Sequence, residues 1–349
     1  MASDASVTYA LRQAALATIM EQRVAPQINR SCVLMQLLSA VPADGKNITW
    51  DVSTGTAVPT TAAIADGADI DTWNSDTKQP ATLNYVVYHD AFAVTGLAEA
   101  AAAAAGNPQQ LANLVDDELR DSLNRLGVSI GNDLYVGTGA SYQMTGLVDP
   151  TAGGITSTGT YAGISRGAYP QFAGNEVAGG NQRITRAMVR ELKRKINKAS
   201  GQFPSFYITT PESFDIFAET LQAQRRFVQD VSLQGRGPIK LDGGFEIVDF
   251  DGIPVFSDVR CPAGYFLALN TNEQRIRYMP FKSAYDILKA VGITVSPESR
   301  LKTDSTPLMG KIKRIAPAGD KERLGIFCYL NVQSRTPNTA GCISGLLET

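Results

Sequence analysis

Gly163-Ile164-Ser165-Arg166-Gly167 is a literal G-x-S-x-G, the pattern in which some hydrolases present a nucleophilic serine on a sharp strand-to-helix turn. That chemistry needs a histidine base further along the chain. The sequence has one histidine, His89, and it precedes Ser165. Pro170 and the Gly/Thr/Ser-rich surroundings read as loop rather than as a strand feeding a helix. The motif is therefore expected to be a turn and His89 a structural side chain, because a lone imidazole cannot build a His-rich metal site.

Other chemistry-bearing groups lead no further. Asp66, Asp69, Asp71 and Asp76 gather oxygens of the kind calcium prefers, but without EF-hand spacing, so a solvated acidic loop is expected. Gly137-Thr138-Gly139 lacks the third glycine of a dinucleotide fingerprint, and no GK[ST] follows a glycine-rich loop. Cys32, Cys261, Cys328 and Cys342 are far apart, with no CxxC; buried thiols are expected rather than a disulfide framework or zinc site. No cofactor and no metal is called for, and no enzymatic activity. Arg183, Arg186, Arg190, Lys193, Arg194, Lys195 and Lys198 make one segment strongly basic. It reads first as a solvated helix face with ion pairs between subunits. Non-specific phosphate contact through Arg190, Lys193 and Arg194 is the alternative, since nothing here could read base edges.

Composition sets the bounds. Of 349 residues, 44% are hydrophobic and 19% charged, with a formal net charge of -2. A large core is possible, and there is no global pull toward nucleic acid or anionic membrane. Charge is sparser than the roughly 25% of ordinary soluble domains, which suggests a surface covered by copies of the chain itself. Residues 1–12 are polar and lack a basic start, so no secretory signal is expected. No apolar run reaches about 18 residues, so no membrane span is expected.

One long element must position the rest. Leu111, Leu114, Val115, Leu119, Leu123, Leu126, Ile130 and Leu134 recur at steps of three and four, the stripe of an amphipathic helix over 107–136. Asn107 suits its N-cap and Pro108 its first turn. Gly127 and Gly131 weaken its second half. A second helix is expected over 184–198, opened by Thr185 and ended near Gly201, and a third over 211–224. Strands are expected at Asn47–Ser53, with Ile48, Trp50 and Val52 on one face, and at 83–94, 206–210, 245–249, 253–256 and 326–332. Residues 265–270 and 275–279 read as a hairpin. The stretch 54–80 is far too long for an ordinary connection and reads as a projecting hairpin arm. Residues 1–30 read as an arm that packs on something else. The mixture is α+β with antiparallel pairing.

In chain order, the long helix leading into GTGASYQMTGL, then TYAGISRGAYP, FYITTPESFDIFAETLQAQRRF, GFEIVDFDGIPVFSDVRCPAGYFLALNT and GCISGL resemble the major capsid proteins of tailed double-stranded DNA phages, the Hong Kong 97-type fold. The resemblance runs over nearly the whole chain. It implies an N-terminal arm (1–45), an extended loop hairpin (46–95), a peripheral domain (96–182 and 321–349) with its spine helix (107–136), and an axial domain (183–320). It further implies self-assembly into an icosahedral shell of hexamers and pentamers around packaged double-stranded DNA, located in the virion and assembled in the host cytoplasm. A portal and a decoration protein are implied partners. The arm is short for a built-in scaffold, so a separate scaffolding protein is expected. Within the extended loop, Trp73 with Asp71, Asp76 and Lys78 is expected to form an inter-subunit contact. An encapsulin-like shell enclosing cargo enzymes is the alternative.

Overall fold

The computed structural model describes residues 32–43, 45–54, 78–96, 108–221, 231–232, 238–239, 247–279, 310–315 and 321–349. The expected helix forms without interruption over Pro108–Val136 (here α2, after the short α1 at Val33–Leu37). From Asp121 onward, where its side chains are described, the apolar stripe is the buried one: Leu123, Leu126, Ile130 and Leu134 lie in the core with Tyr135. The other stripe side chains, Leu111 to Leu119, lie outside the described residues. Among the described residues no helix is long and apolar enough to cross a membrane.

The spine packs on a sheet built around one long strand. β1 (Ser39–Pro42), β2 (Asn47–Ser53), β3 (Lys78–Asn84) and β4 (Val86–Thr95) come first in the chain. β4 pairs antiparallel with residues 321–330 of β16 (Lys321–Ser334). β15 (Gly310–Ile315) pairs antiparallel with residues 323–328 of the same stretch, β14 (Gln274–Tyr278) pairs antiparallel with residues 330–334, and β1 adds to β14 in parallel. Burial of Tyr88, Phe92, Ile276, Ile326, Cys328, Leu330 and Val332 against α1 and α2 makes the first core.

The short β9 (Val231–Ser232) and β10 (Pro238–Ile239) pair with each other, and a second sheet has six strands. Its order is β11 (Ile247–Phe250), β12 (Ile253–Ser257), β8 (Phe206–Thr209), β13 (Phe266–Leu269), β17 (Gly341–Leu346), β7 (Asn175–Gln182). α3 (Arg186–Ser200) and α4 (Pro211–Thr220) pack on it around Val189, Leu192, Ile196, Phe214 and Phe217. Both helices start as the sequence expects. Thr185 Oγ1 accepts from Met188 N and Thr210 Oγ1 from Ser213 N, and Gly201 closes α3 in the left-handed region at φ 71. β11 and β12 are joined by Asp251 (φ 52) and Gly252 (φ 79), the two-residue turn favoured by an Asp-Gly pair.

Two expectations fail. β13 and β14 do not form a hairpin. Four residues separate them, yet β13 joins the six-stranded sheet and β14 the other. Gln274 marks the parting: its Oε1 accepts from Asn270 N (2.8 Å) and its Nε2 donates to Ser334 Oγ (3.1 Å), where the chain passes from the six-stranded sheet to the sheet of β16. The strand expected over 83–94 is two strands broken at Tyr85, whose hydroxyl donates to Ala43 O at 2.9 Å. Each sheet draws strands from distant parts of the chain. β17, assigned with 321–349, belongs to the six-stranded sheet, and β14, assigned with 183–320, pairs with β16.

Candidate assembly surfaces

The hairpin arm has a well-packed root. β2 and β3 pair antiparallel from Asn47↔Asn84 to Ser53↔Lys78. Their alternation turns Ile48, Val52, Ala81 and Leu83 to one face, as the pattern implies. That face is covered by the chain's own TYAGISRGAYPQF stretch, residues 160–172, through Tyr161, Ala162, Ile164 and Phe172. Here β5 (Thr160–Tyr161) and β6 (Ile164–Ser165) form a small hairpin turning at Ala162 (φ 51) and Gly163 (φ 84). Thr82 N donates to Ala162 O (2.9 Å), Gln171 Nε2 to Thr54 O (2.5 Å) and Trp50 Nε1 to Arg335 O (3.3 Å). Lys78 is exposed at its far end, paired with Ser53. Trp73, Asp71 and Asp76 lie outside the described residues.

The G-x-S-x-G segment is thus the seat of the ribbon. Ser165 is exposed on a strand of the β5–β6 hairpin, not on a strand-to-helix elbow, and exposed His89 on β4 stacks on Phe327 with ring centroids 5.9 Å apart. The working member of the motif is Arg166, only 2% exposed. It donates to Thr156 Oγ1 (2.8 Å), Thr158 O (2.9 Å) and Gly153 O (2.6 Å) and lies over the Tyr161 ring at 5.5 Å. Burial pulls its guanidinium down from 12.5 to about 10, opposed by Tyr161. It staples the 153–158 loop beneath the ribbon.

The basic helix uses much of its charge inside the subunit. Arg190 Nε sits 3.5 Å from Asp251 Oδ2 with its guanidinium over Phe250, and Lys193 Nζ donates to Asp251 O at 3.2 Å. Lys195 Nζ lies 3.3 Å from Glu191 Oε1 and donates to Glu176 O at 2.9 Å. Arg194 is exposed and has no ion pair among the described residues. Within the chain, the Arg190 and Lys193 pairs with Asp251 tie α3 to the β11–β12 turn, and the Lys195 hydrogen bond ties it to β7.

Two carboxylates that sequence reasoning did not single out hold distant segments together. Buried Asp258, just past β12, accepts from Tyr135 Oη (2.7 Å), Leu34 N (3.3 Å) and Cys32 Sγ (3.6 Å) through Oδ2, and from Arg260 N (2.9 Å) through Oδ1. It joins the entry of the chain at 32–34 to the end of the spine. Burial, then the Asp258 charge, pushes the Cys32 thiol from 9.0 up to about 12, and the same two causes raise the fully buried Tyr135. Glu348 Oε1 accepts from Thr210 Oγ1 (2.6 Å), Gly264 N (2.7 Å) and Ser213 Oγ (3.3 Å), so a carboxylate caps α4 where the helix dipole favours one. Neither has a local sequence signature, since all their partners but Arg260 N lie far off in the chain. Among the described residues no group of three or more His, Cys, Asp or Glu is placed to hold a metal ion, and all four cysteines are free and buried.

No family model and no curated protein matches the sequence. Solved structures do match. The capsid asymmetric unit of cyanophage A-1(L) aligns with a TM-score of 0.67 at 19% identity, covering 90% of this chain and 92% of that one. The SrpI encapsulin complex of Synechococcus elongatus aligns at 0.57 and 12% identity, over 91% and 88%. Mycobacterium phage Bobi aligns at 0.52 and 11% identity, over 90% of each chain. Spine helix, ribbon, long-strand sheet and six-stranded sheet together make this chain an α+β protein of the Hong Kong 97-type fold.

Proposed function

We propose that this chain is the major capsid protein of a tailed double-stranded DNA phage, a structural subunit and not an enzyme, which assembles with itself into hexamers, pentamers and a closed icosahedral shell. The observation that carries the reading is the fold shared with a phage capsid subunit over nine-tenths of both chains. The long-strand sheet with the spine serves as the peripheral unit and the six-stranded sheet as the axial one. The arm ahead of Cys32 and the tip bearing Asp71, Trp73 and Asp76 reach neighbouring copies, with Lys78 at the root of that tip. Exposed Arg194, with Arg190 and Lys193 beside it, faces packaged DNA without reading sequence. A separate scaffolding protein, a portal and a decoration protein complete the particle, which is built in the host cytoplasm and ends as the virion shell.

The encapsulin reading is kept because an encapsulin subunit also aligns over most of both chains. Electron microscopy of the purified, expressed protein tests the shell, and particle content separates the two readings. Large particles that retain DNA when made in a phage-infected host support the capsid. Small particles filled with a co-expressed enzyme support the encapsulin, and a monodisperse monomer at high concentration overturns both.

A further inference from the structure

The turn that follows the spine is built to hold one bare aromatic side chain in a fixed place. Gly137 leaves the helix and Thr138 bridges to Thr145. Gly139 N donates to Met144 O (3.1 Å), Gly146 N to Gly137 O (2.7 Å) and Gln143 N to Ala140 O (3.0 Å). The base is locked: Tyr88 Oη accepts from Met144 N (3.1 Å), Asn331 Oδ1 accepts from Thr145 N (3.3 Å), and Met144 and Leu147 are fully buried. At the tip, Ser141 (φ 51) and Tyr142 (φ 66) are both left-handed. The other adjacent left-handed pairs among the described residues, 162–163, 180–181 and 251–252, each include a glycine. A two-residue turn of this type is normally Asn-Gly or Asp-Gly, so Ser-Tyr is strained, and such strain gathers where a side chain has work to do. Tyr142 is 94% exposed, and no residue of 137–147 is charged.

A complementary surface exists on the same chain. Arg260 lies across the spine at Gly131, where an added Cβ would come within 2.7 Å of its Cδ. Its guanidinium donates to Val128 O (3.0 Å) and Asn132 Oδ1 (3.4 Å), which orients it. Val259, 86% exposed, and Val128, 42% exposed, flank it. An oriented guanidinium edged by two exposed valines suits the face of a tyrosine ring. We infer that Tyr142 of one copy docks on the Arg260–Val128–Val259 surface of a neighbouring copy, as an inter-subunit contact separate from the extended loop. The ring is already positioned, so docking orders little that was mobile, and an aromatic burying about 150–250 Å² at such a point is a typical hot spot.

The inference rests on the shell reading, and the tests keep the two apart. Tyr142→Gly relieves the left-handed strain, so the isolated subunit should melt at the wild-type temperature or higher. Its shells should dissociate at clearly lower denaturant than wild type, and Val259→Asp shells should do the same. Opposite signs for subunit and shell are not what a merely structural turn produces. A Tyr142→Cys/Val259→Cys chain should give a ladder of cross-linked copies on mild oxidation, absent from either single variant. Intact shells with no ladder, or Tyr142→Gly shells as resistant as wild type, overturn the contact while leaving the shell reading in place. Cross-linked copies without shells would uphold the contact and remove the shell reading; neither shells nor cross-links removes both.

Discussion

Asp258→Ala should loosen the subunit where the chain enters the fold. The carboxylate is 4% exposed, and two of its donors, Leu34 N and Tyr135 Oη, belong to residues with no exposure at all. Removing the acceptor leaves both without water or protein to bond, at about 1–3 kcal/mol each. Arg260 N is only part-buried and can turn to solvent. The loss should be about 2–6 kcal/mol, a large share of the 5–15 kcal/mol that usually holds a domain together. Asp258→Asn keeps one acceptor oxygen and should cost less. Tyr135→Phe alone should cost about 1 kcal/mol, yet in the Asp258→Ala background it should be neutral or stabilising, because it deletes an orphaned hydroxyl. The assay is urea unfolding of disassembled subunits by circular dichroism, run as a double-mutant cycle with m-values compared. Amide exchange at Leu34 should also rise before the core opens. An Asp258→Ala loss under about 1 kcal/mol, or an additive cycle, would refute the reasoning.

Alkali should destabilise the subunit more steeply than acid chemistry alone suggests. Burial pushes Cys32, Cys328 and Cys342 from 9.0 up to about 12. Above pH 9 the unfolded thiols lose protons that the folded ones keep, so the stabilisation is complete below pH 9 and is lost as pH rises toward 12. The slope is about 4 kcal/mol per pH unit for the three together; melting curves from pH 8 to 11 check it, and a flat profile would contradict it. Glu348→Ala should cost about 1–2 kcal/mol by removing the carboxylate beside the α4 N-terminus and freeing Gly264 N, read as a midpoint shift in urea. Gly137→Ala should block folding of the 137–147 turn, because its Cβ would stand 2.2 Å from Met144 O; a soluble variant with wild-type melting would show that the turn can rearrange. Replacing Arg190, Lys193 and Arg194 by Gln should leave empty shells intact and lower DNA retention, most visibly at moderate salt, and unchanged packing density would end the DNA role.

What the sequence makes readable is local. The spine is legible because a 3.6-residue period over 29 residues has no other solution. α3 is legible because Thr185 and Gly201 mark its ends, and the 47–53 strand because its alternation is uninterrupted. What stays hidden is pairing between segments far apart. β7 reads as loop, since NEVAGGNQ holds two glycines and two asparagines. It is nonetheless a strand because it runs parallel to β17 so closely that a Cβ on Gly179 would meet Gly345 O at 2.8 Å. There the glycines admit a neighbouring backbone and do not break the strand. The sheet change at Tyr85 is invisible for the same reason. Both strands alternate well, and Ala43, far back in the chain, supplies an acceptor at the break.

The surfaces follow the same division. Sparse charge and a long unsupported stretch led to the extended loop as the place where copies meet. The described part of that loop is satisfied by its own subunit: Ile48, Val52, Ala81 and Leu83 are covered by Tyr161, Ile164 and Phe172, with Arg166 stapling the seat. A ribbon so held needs no neighbour at its root, so any inter-subunit work falls to the tip beyond Lys78 and Thr54. The turn at 137–147 has the same design, with buried Met144 and Leu147 under a bare Tyr142. In both, the base is held by contacts within the chain, and on the proposed reading the end beyond it meets a neighbouring copy. A subunit that must first fold alone and then repeat each contact many times gains from that order. Supports formed before assembly reduce the ordering cost of every contact. Strain at the tip, as at Ser141 and Tyr142, is tolerable only because the base beneath it is already fixed.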